Sequence, residues 1–142
     1  MKACAPRSPC PCGRLNAAGK AVLAYADCCG RWLEPATGSA VALPPDAQSL
    51  MRSRYSAFVL EREAYLLASW AASHRPEHIA FEPGVKWLGL DVRAHQSTGD
   101  HTAVVEFVAR QKPLNAAAVR LHERSRFVCE DGRWLYVDGD AL

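Results

Sequence analysis

Cys10 and Cys12 stand on either side of Pro11, and Cys28 and Cys29 are adjacent. Thiols this close can form disulfides, exchange electrons or ligate a metal. Adjacent cysteines join only through a strained ring, because their Cα atoms lie about 3.8 Å apart across a trans peptide, below the usual disulfide range. Cross-pairing between the two pairs needs an oxidising compartment. Redox pairs usually take the form Cys-x-x-Cys at the start of a helix, whereas the first pair here is Cys-x-Cys followed by Gly13. Zn²⁺ takes four ligands tetrahedrally, and four thiolates saturate it as a structural site with no open position. Cys10, Cys12, Cys28 and Cys29 are therefore the candidate metal ligands, with structural Zn²⁺ the expected cofactor. Pro11 stiffens the first pair and Gly13 lets the chain turn, so that backbone N–H groups can face the sulfurs. Cys4, in an upstream segment expected to be mobile, is read as a bystander. Cys129, within a predicted strand, is read as a small buried hydrophobe.

Composition narrows the surroundings of that chemistry. The 142 residues fit one domain with a small appendage, and no staple is needed at this size. The net charge of +2, without a run of Lys or Arg, gives no sign of a specific nucleic-acid partner. No apolar stretch approaches the roughly 20 residues of a membrane span, and "MKACAPRSPCPCG" has no apolar core of a signal peptide. A cytoplasmic protein with reduced thiols is the expectation.

A second group of residues could also carry chemistry. In "AVRLHERSRFVCE" alternate side chains face opposite ways. One face takes Val119, Leu121, Glu123, Ser125, Phe127 and Cys129; the other takes Arg120, His122, Arg124, Arg126 and Val128. The apolar face should meet the helices, which sets Glu123 among hydrophobes in need of a partner. Arg54, inside an apolar helical stripe, is the natural one, with Arg52 second. Glu106, flanked by Val104 and Val108, is also expected to face inward. The candidate cavity set is Arg52, Arg54, Tyr55, Glu106, Glu123 and Ser125. It can be read as a ligand or acid–base site, or as a buried ion pair that fixes helix docking. An adjacent arginine lowers a carboxylate's pKa and weakens it as a base at neutral pH, which favours the ion pair over catalysis. His74, His78, His95 and His101 are expected in solvent. Trp32 is expected to pack the cysteine region onto the rest.

These residues require elements to hold them. "LEPATGSAVALPPDA" is rich in Pro, Gly and small residues and reads as a linker. Asp46 is a candidate N-cap. Leu50, Met51, Tyr55, Phe58 and Val59 recur at helical spacing, and the stretch through Ser73 reads as two helices or one bent helix. Four strand candidates follow: "VKWLGLDVRAH", "HTAVVEFVARQ", "AVRLHERSRFVCE" and "RWLYVD". Asp131-Gly132 is a hairpin signal between the last two. Short connections make the strands antiparallel neighbours. The fold class is α+β, with helices packed on one face of a curved antiparallel sheet.

"CPCG" and "YADCCGRW" resemble the SEC-C motif, the cysteine-rich zinc module at the C-terminus of many SecA proteins. That resemblance implies zinc on Cys10, Cys12, Cys28 and Cys29. The usual link between the pairs is short; here fifteen residues separate Cys12 from Cys28, and "LNAAGKAV" reads as a loop extension that loosens the site without abolishing it. "LMRSRYSAFVL", "YLLASW", "EFVAR", "HERSRF" and "GRWLYVDG" are similar to the YchJ-like family of small, largely uncharacterised bacterial proteins. The resemblance implies a SEC-C knuckle joined to a cone-shaped domain like nuclear transport factor two. Relatives often read Trp-His-Pro after the helices; this chain has "SWAAS", so no role passes to a histidine there.

The sequence is thus read as a SEC-C-like zinc-binding knuckle over residues 1–33, a linker over 34–45 and a nuclear-transport-factor-two-like domain over 46–142. The expected function is a non-enzymatic interaction module that presents the knuckle to a protein or ribosomal partner. The alternative is small-molecule binding or catalysis in the cone around Arg54 and Glu123. An open cavity without a closed ion pair would favour the alternative.

Overall fold

A computed structural model describes residues 2–35 and 42–142; residues 36–41 of the expected linker lie outside the described residues. A 3₁₀ turn (Tyr25–Asp27) leads into α1 (Gly30–Leu33), followed by α2 (Ala47–Val59) and α3 (Glu63–Ala68). Four strands complete the chain: β1 (Lys86–Gly99), β2 (Thr102–Lys112), β3 (Val119–Glu130) and β4 (Arg133–Ala141).

α2 begins where Asp46 accepts a hydrogen bond from the Ser49 backbone N–H at 2.7 Å, as the N-cap reading requires. The helical stretch resolves into two helices rather than a bent one. Between them Glu61 sits at φ 56°, a left-handed conformation that interrupts the backbone ladder.

The sheet is an antiparallel meander in the order β1-β2-β3-β4. Asp131 and Gly132, at φ 52° and 77°, form the tight turn between β3 and β4, the geometry that matches strand twist in a two-residue hairpin. β1 carries register shifts at Trp87/Gly89, Val92/Ala94 and Ser97/Gly99, and bulges of this kind bend a sheet. The helices lie on one face of the resulting curve. The chain after α3 covers the β4 edge: Ala71 N–H donates to the Tyr136 carbonyl at 2.7 Å, and Tyr136 N–H to the Ser69 carbonyl at 2.9 Å. Pairing that edge removes a site for unwanted strand addition.

One apolar core runs from the cysteines to the sheet. Cys12, Trp32, Leu50, Tyr55 and Phe127 all belong to it, and Trp32 is only 6% exposed. The N-terminal segment is tied down rather than loose. Lys2 N–H donates to the Leu60 carbonyl at 3.0 Å, and Arg62 Nη2 donates to the Lys2 carbonyl. No helix among the described residues is long and apolar enough to cross a membrane.

Candidate functional site

The fifteen residues between the cysteine pairs form a hairpin, not a loose loop. Pro9 pairs with Ala24 and Leu15 with Val22, both antiparallel. Cys10 N–H donates to the Leu23 carbonyl, Leu23 N–H to the Arg14 carbonyl, and Tyr25 N–H to the Ser8 carbonyl. The "LNAAGKAV" insertion is the hairpin's far end, closed where Gly19 N–H donates to the Asn16 carbonyl. Its register carries the two pairs to one point, which corrects the expectation of a looser site. Gly13, at φ 73°, turns the chain after the first pair, and its N–H bonds to the Cys10 carbonyl. Gly30 follows the second pair because a Cβ there would lie 2.6 Å from the Tyr25 carbonyl oxygen.

The sulfurs of Cys10, Cys12, Cys28 and Cys29 all lie within 4.8 Å of one another, with Cys12 Sγ and Cys28 Sγ 3.6 Å apart. Four sulfurs about 2.3 Å from a central ion define a tetrahedron with edges of about 3.8 Å. The spacing fits a tetrathiolate metal. All four residues are buried, Cys12 and Cys29 completely, so the set is closed. Hydrogen bonds from the other thiols, Cys12 first, hold Cys10 well below the ordinary thiol range. Bonds to Cys10 push Cys12 and Cys29 above it, and burial adds to this. Four enclosed sulfurs cannot all carry negative charge without a cation.

Helix α2 is one wall of this centre. Ser56 Oγ lies 3.7 Å from Cys10 Sγ. Arg52 Nη1 donates to the Cys12 carbonyl at 3.2 Å, and Arg31 Nε to the Cys28 carbonyl at 2.9 Å. These two guanidiniums bring positive charge to the backbone of both pairs, as outer-shell groups do around anionic metal sites. Arg14 Nη1 donates to Ser49 Oγ at 2.9 Å. Sequence reasoning missed Ser49 and Ser56. Their signal was the spacing of seven residues, which puts two small polar side chains on one helical face.

The opposite face of α2 looks into a cavity of about 460 Å³ between helices and sheet. Arg54, Tyr55, Glu123 and Ser125 line it; Arg52 and Glu106 do not. Arg52 faces the cysteines, as any residue two positions from an inward-facing one must turn away on a helix. Glu106 lies on the outer face of the sheet, where it accepts from Arg124 Nη2 at 3.2 Å and meets His122 Nε2 at 2.9 Å. The inward set of β2 is instead Ala103, Val105, Phe107 and Ala109. On β3, Ser125 and Phe127 are buried, while Val119 and Leu121 are about 40% exposed.

The expected Arg54–Glu123 ion pair does not form. Arg54 Nη1 donates to the Leu66 carbonyl and to Ser69 Oγ, each at 2.7 Å. Its guanidinium stacks on Trp70 and Tyr136, 4.9 and 4.6 Å from the ring centres. Glu123 Oε1 instead accepts from Ser125 Oγ at 2.9 Å and from the Tyr136 hydroxyl at 3.3 Å. Tyr136 thus stands between the two charges. Burial lowers the Arg54 pKa to about 10, which leaves it cationic at neutral pH. Trp70 and Tyr136 were absent from the candidate set because aromatic residues read first as core. Four histidines, His74, His78, His95 and His101, are exposed.

Fold and site together define a class: small proteins that join a cysteine knuckle to a cone like that of nuclear transport factor two. The family model "YchJ, middle NTF2-like domain" matches residues 46–139. The chain belongs to this YchJ-like family, whose members carry the name UPF0225. A UPF0225 protein of Polaromonas sp. (strain JS666) is 62% identical over 136 residues, covering 96% of this chain and 95% of that one. One from Bordetella pertussis is 51% identical over 140 residues, covering 95% and 96%. The solution structure of a SEC-C motif containing protein from Rhodopseudomonas palustris is 27% identical, with a TM-score of 0.74 over 87% of this chain and 95% of that one. A crystal structure of a SEC-C motif containing protein from Psychrobacter arcticus is 28% identical, with a TM-score of 0.76 over 94% and 82%.

Proposed function

We propose that this protein binds a small molecule in its cone and is braced by one structural zinc ion in its knuckle. The observation that carries the binding reading is Arg54. It is 6% exposed and lines the cavity, yet its Nε and Nη2 have no hydrogen-bond partner among the described residues. Neither atom is fully enclosed, and the residue lines the cavity. A buried cation without a carboxylate against it is costly to hold, and a ligand would supply what is missing. The absent ion pair tips the balance away from a purely structural cone. Glu123, with one oxygen already taken by Ser125 and Tyr136, supports binding rather than turnover. Amide-shift mapping of the whole protein against a small-molecule library tests this. Hits should cluster on Arg54, Trp87 and Phe127; hits confined to the outer surface overturn it.

Tetrahedral sulfur sets suit zinc or iron, while calcium and magnesium demand oxygen. Full burial of the sulfurs supports a bracing ion, since a catalytic zinc keeps an open position. Such a thiolate centre belongs in a reducing compartment, and we place the protein in the cytoplasm. Elemental analysis should find one zinc per chain. Stoichiometric iron, or no metal in reduced protein prepared without chelators, overturns the assignment.

A protein partner on the knuckle, the ribosome included, is the second reading. Leu15 and Val22 pair across the hairpin and are 52% and 39% exposed, which makes a small apolar patch. A partner captured by the wild type and retained by a Leu15→Ser/Val22→Ser variant would count against it.

A further inference from the structure

The cavity's two charges specify more than an unnamed ligand, and the inference rests on the cone being a binding site. Arg54 and Glu123 line one cavity without touching. Tyr136 separates them, with the Arg54 guanidinium on its ring and its hydroxyl on Glu123 Oε1. Nη1 of Arg54 is fixed by Leu66 and Ser69. The remaining Nε and Nη2 lie side by side on the guanidinium, the edge that grips a carboxylate through two parallel hydrogen bonds. Glu123 Oε2 has no partner among the described residues, and it is not fully enclosed. Each charge therefore keeps free hydrogen-bonding capacity of opposite kind, Arg54 over the face of the Tyr136 ring and Glu123 at its hydroxyl.

We infer that the cone binds a zwitterionic α-amino acid with an apolar or aromatic side chain, its carboxylate on Arg54 and its ammonium on Glu123. The carboxylate and ammonium of an α-amino acid are attached to one carbon, so a single molecule beside Tyr136 can present one group to each charge. A ligand of either charge alone would satisfy one group and leave the other without it, at greater cost for buried Arg54 than for half-buried Glu123. The rest of the cavity suits the side chain. Trp87 meets Tyr55 edge-on at 5.5 Å and lies 6.1 Å from Phe58, which meets Phe81 at 6.3 Å. Aromatic surfaces of this kind pack rings edge-to-face or offset. None of the other charged residues along the cavity is as buried as Arg54. Lys2 and Glu61 pair with each other at 3.8 Å, and Glu82 is exposed.

Three probes of one skeleton test the assignment on the whole, metal-replete protein by calorimetry and amide shifts: L-phenylalanine, 3-phenylpropanoate and phenethylamine. Phenylalanine should bind at least about tenfold more tightly than either single-charge analogue, a ratio that corresponds to about 1.4 kcal/mol. Arg54→Gln should erase its advantage over phenethylamine, and Glu123→Gln its advantage over phenylpropanoate. Because the series is read first on the wild type, a variant that fails to fold does not decide it. Equal affinity for all three, or a preference for phenylpropanoate, overturns the zwitterion while leaving the cone a binding site. Absence of cavity shifts with all three probes and with the wider library overturns both.

Discussion

The knuckle and the cone share one helix and treat polar atoms in opposite ways. On one side of α2, four cysteines, Ser56 and the backbone carbonyls held by Arg52 and Arg31 make a closed set that a single ion would complete. On the other side, Arg54 keeps two nitrogens free in an open cavity and Glu123 keeps an oxygen. The difference separates two reasons for burying polarity. A closed set stabilises, because every group has a partner. An open one costs stability, and its persistence calls for a function.

That contrast can be broken from either side. The largest effect should come from Cys28→Ser. It removes one of four sulfurs, and structural zinc contributes about 10–16 kcal/mol to small metal-dependent folds. Metal content should fall to zero and amide protection vanish over residues 8–33, with the cone's melting temperature lowered but its sheet intact. Retention of a full metal equivalent would show that the sulfurs are not the ligands. Phe127→Ala comes next. Phe127 is 1% exposed in the core beneath the cavity, and such truncations cost about 3–5 kcal/mol. Denaturant titration should show that loss while metal stoichiometry stays constant; metal released in parallel would mean that the two regions melt as one.

Smaller effects sharpen the picture. Asp46→Ala removes the cap of the shared helix and should cost about 1 kcal/mol. Because α2 walls both regions, amide exchange should quicken in both; a change confined to one would show that the helix couples nothing. Glu106→Gln should have the least effect. Hydrogen bonds from His122 and Arg124 hold the Glu106 carboxyl below its ordinary value of 4.5. A carboxylate depressed in the folded state contributes stability above the unfolded pKa and loses it as pH falls through the folded value. Wild type and variant should thus differ slightly near pH 6 and converge as pH falls through the depressed folded value. A gap that widens on acidification would reverse the assignment.

Much of this was legible in the residues. The cysteine spacing, the Asp46 cap, the Asp131-Gly132 turn and the alternation along β3 each have a local cause, and local causes can be read along a chain. Glu106 was misplaced because its neighbours Val104 and Val108 were weighed alone; Arg110 shares their face of "AVVEFVAR", and Ala103, Val105, Phe107 and Ala109 make the wholly apolar one. A second cue lay on the next strand, where Arg124, already placed outward, is the direct partner of Glu106, and His122 is the partner of Val108. Arg52 and Arg54 were grouped together because the sequence does not say that a second structure packs against the back of α2. The direct Arg54–Glu123 pair was the economical solution for two isolated charges, but Tyr136 arrives from β4 and separates them. The hairpin between the cysteine pairs was hidden because "LNAAGKAV" lacks the alternating β-branched and aromatic residues that announce strands; its ladder is held by backbone bonds, with the Asn16 side chain accepting from the Lys20 N–H at the turn.

The complete enclosure of Cys12 and Cys29 also bears on time. A competitor for an ion held there would have no path to those sulfurs while the hairpin is shut, so exchange would be limited by the rate at which residues 8–33 open. A metal held there would thus respond only slowly to later changes in the metal supply around the protein.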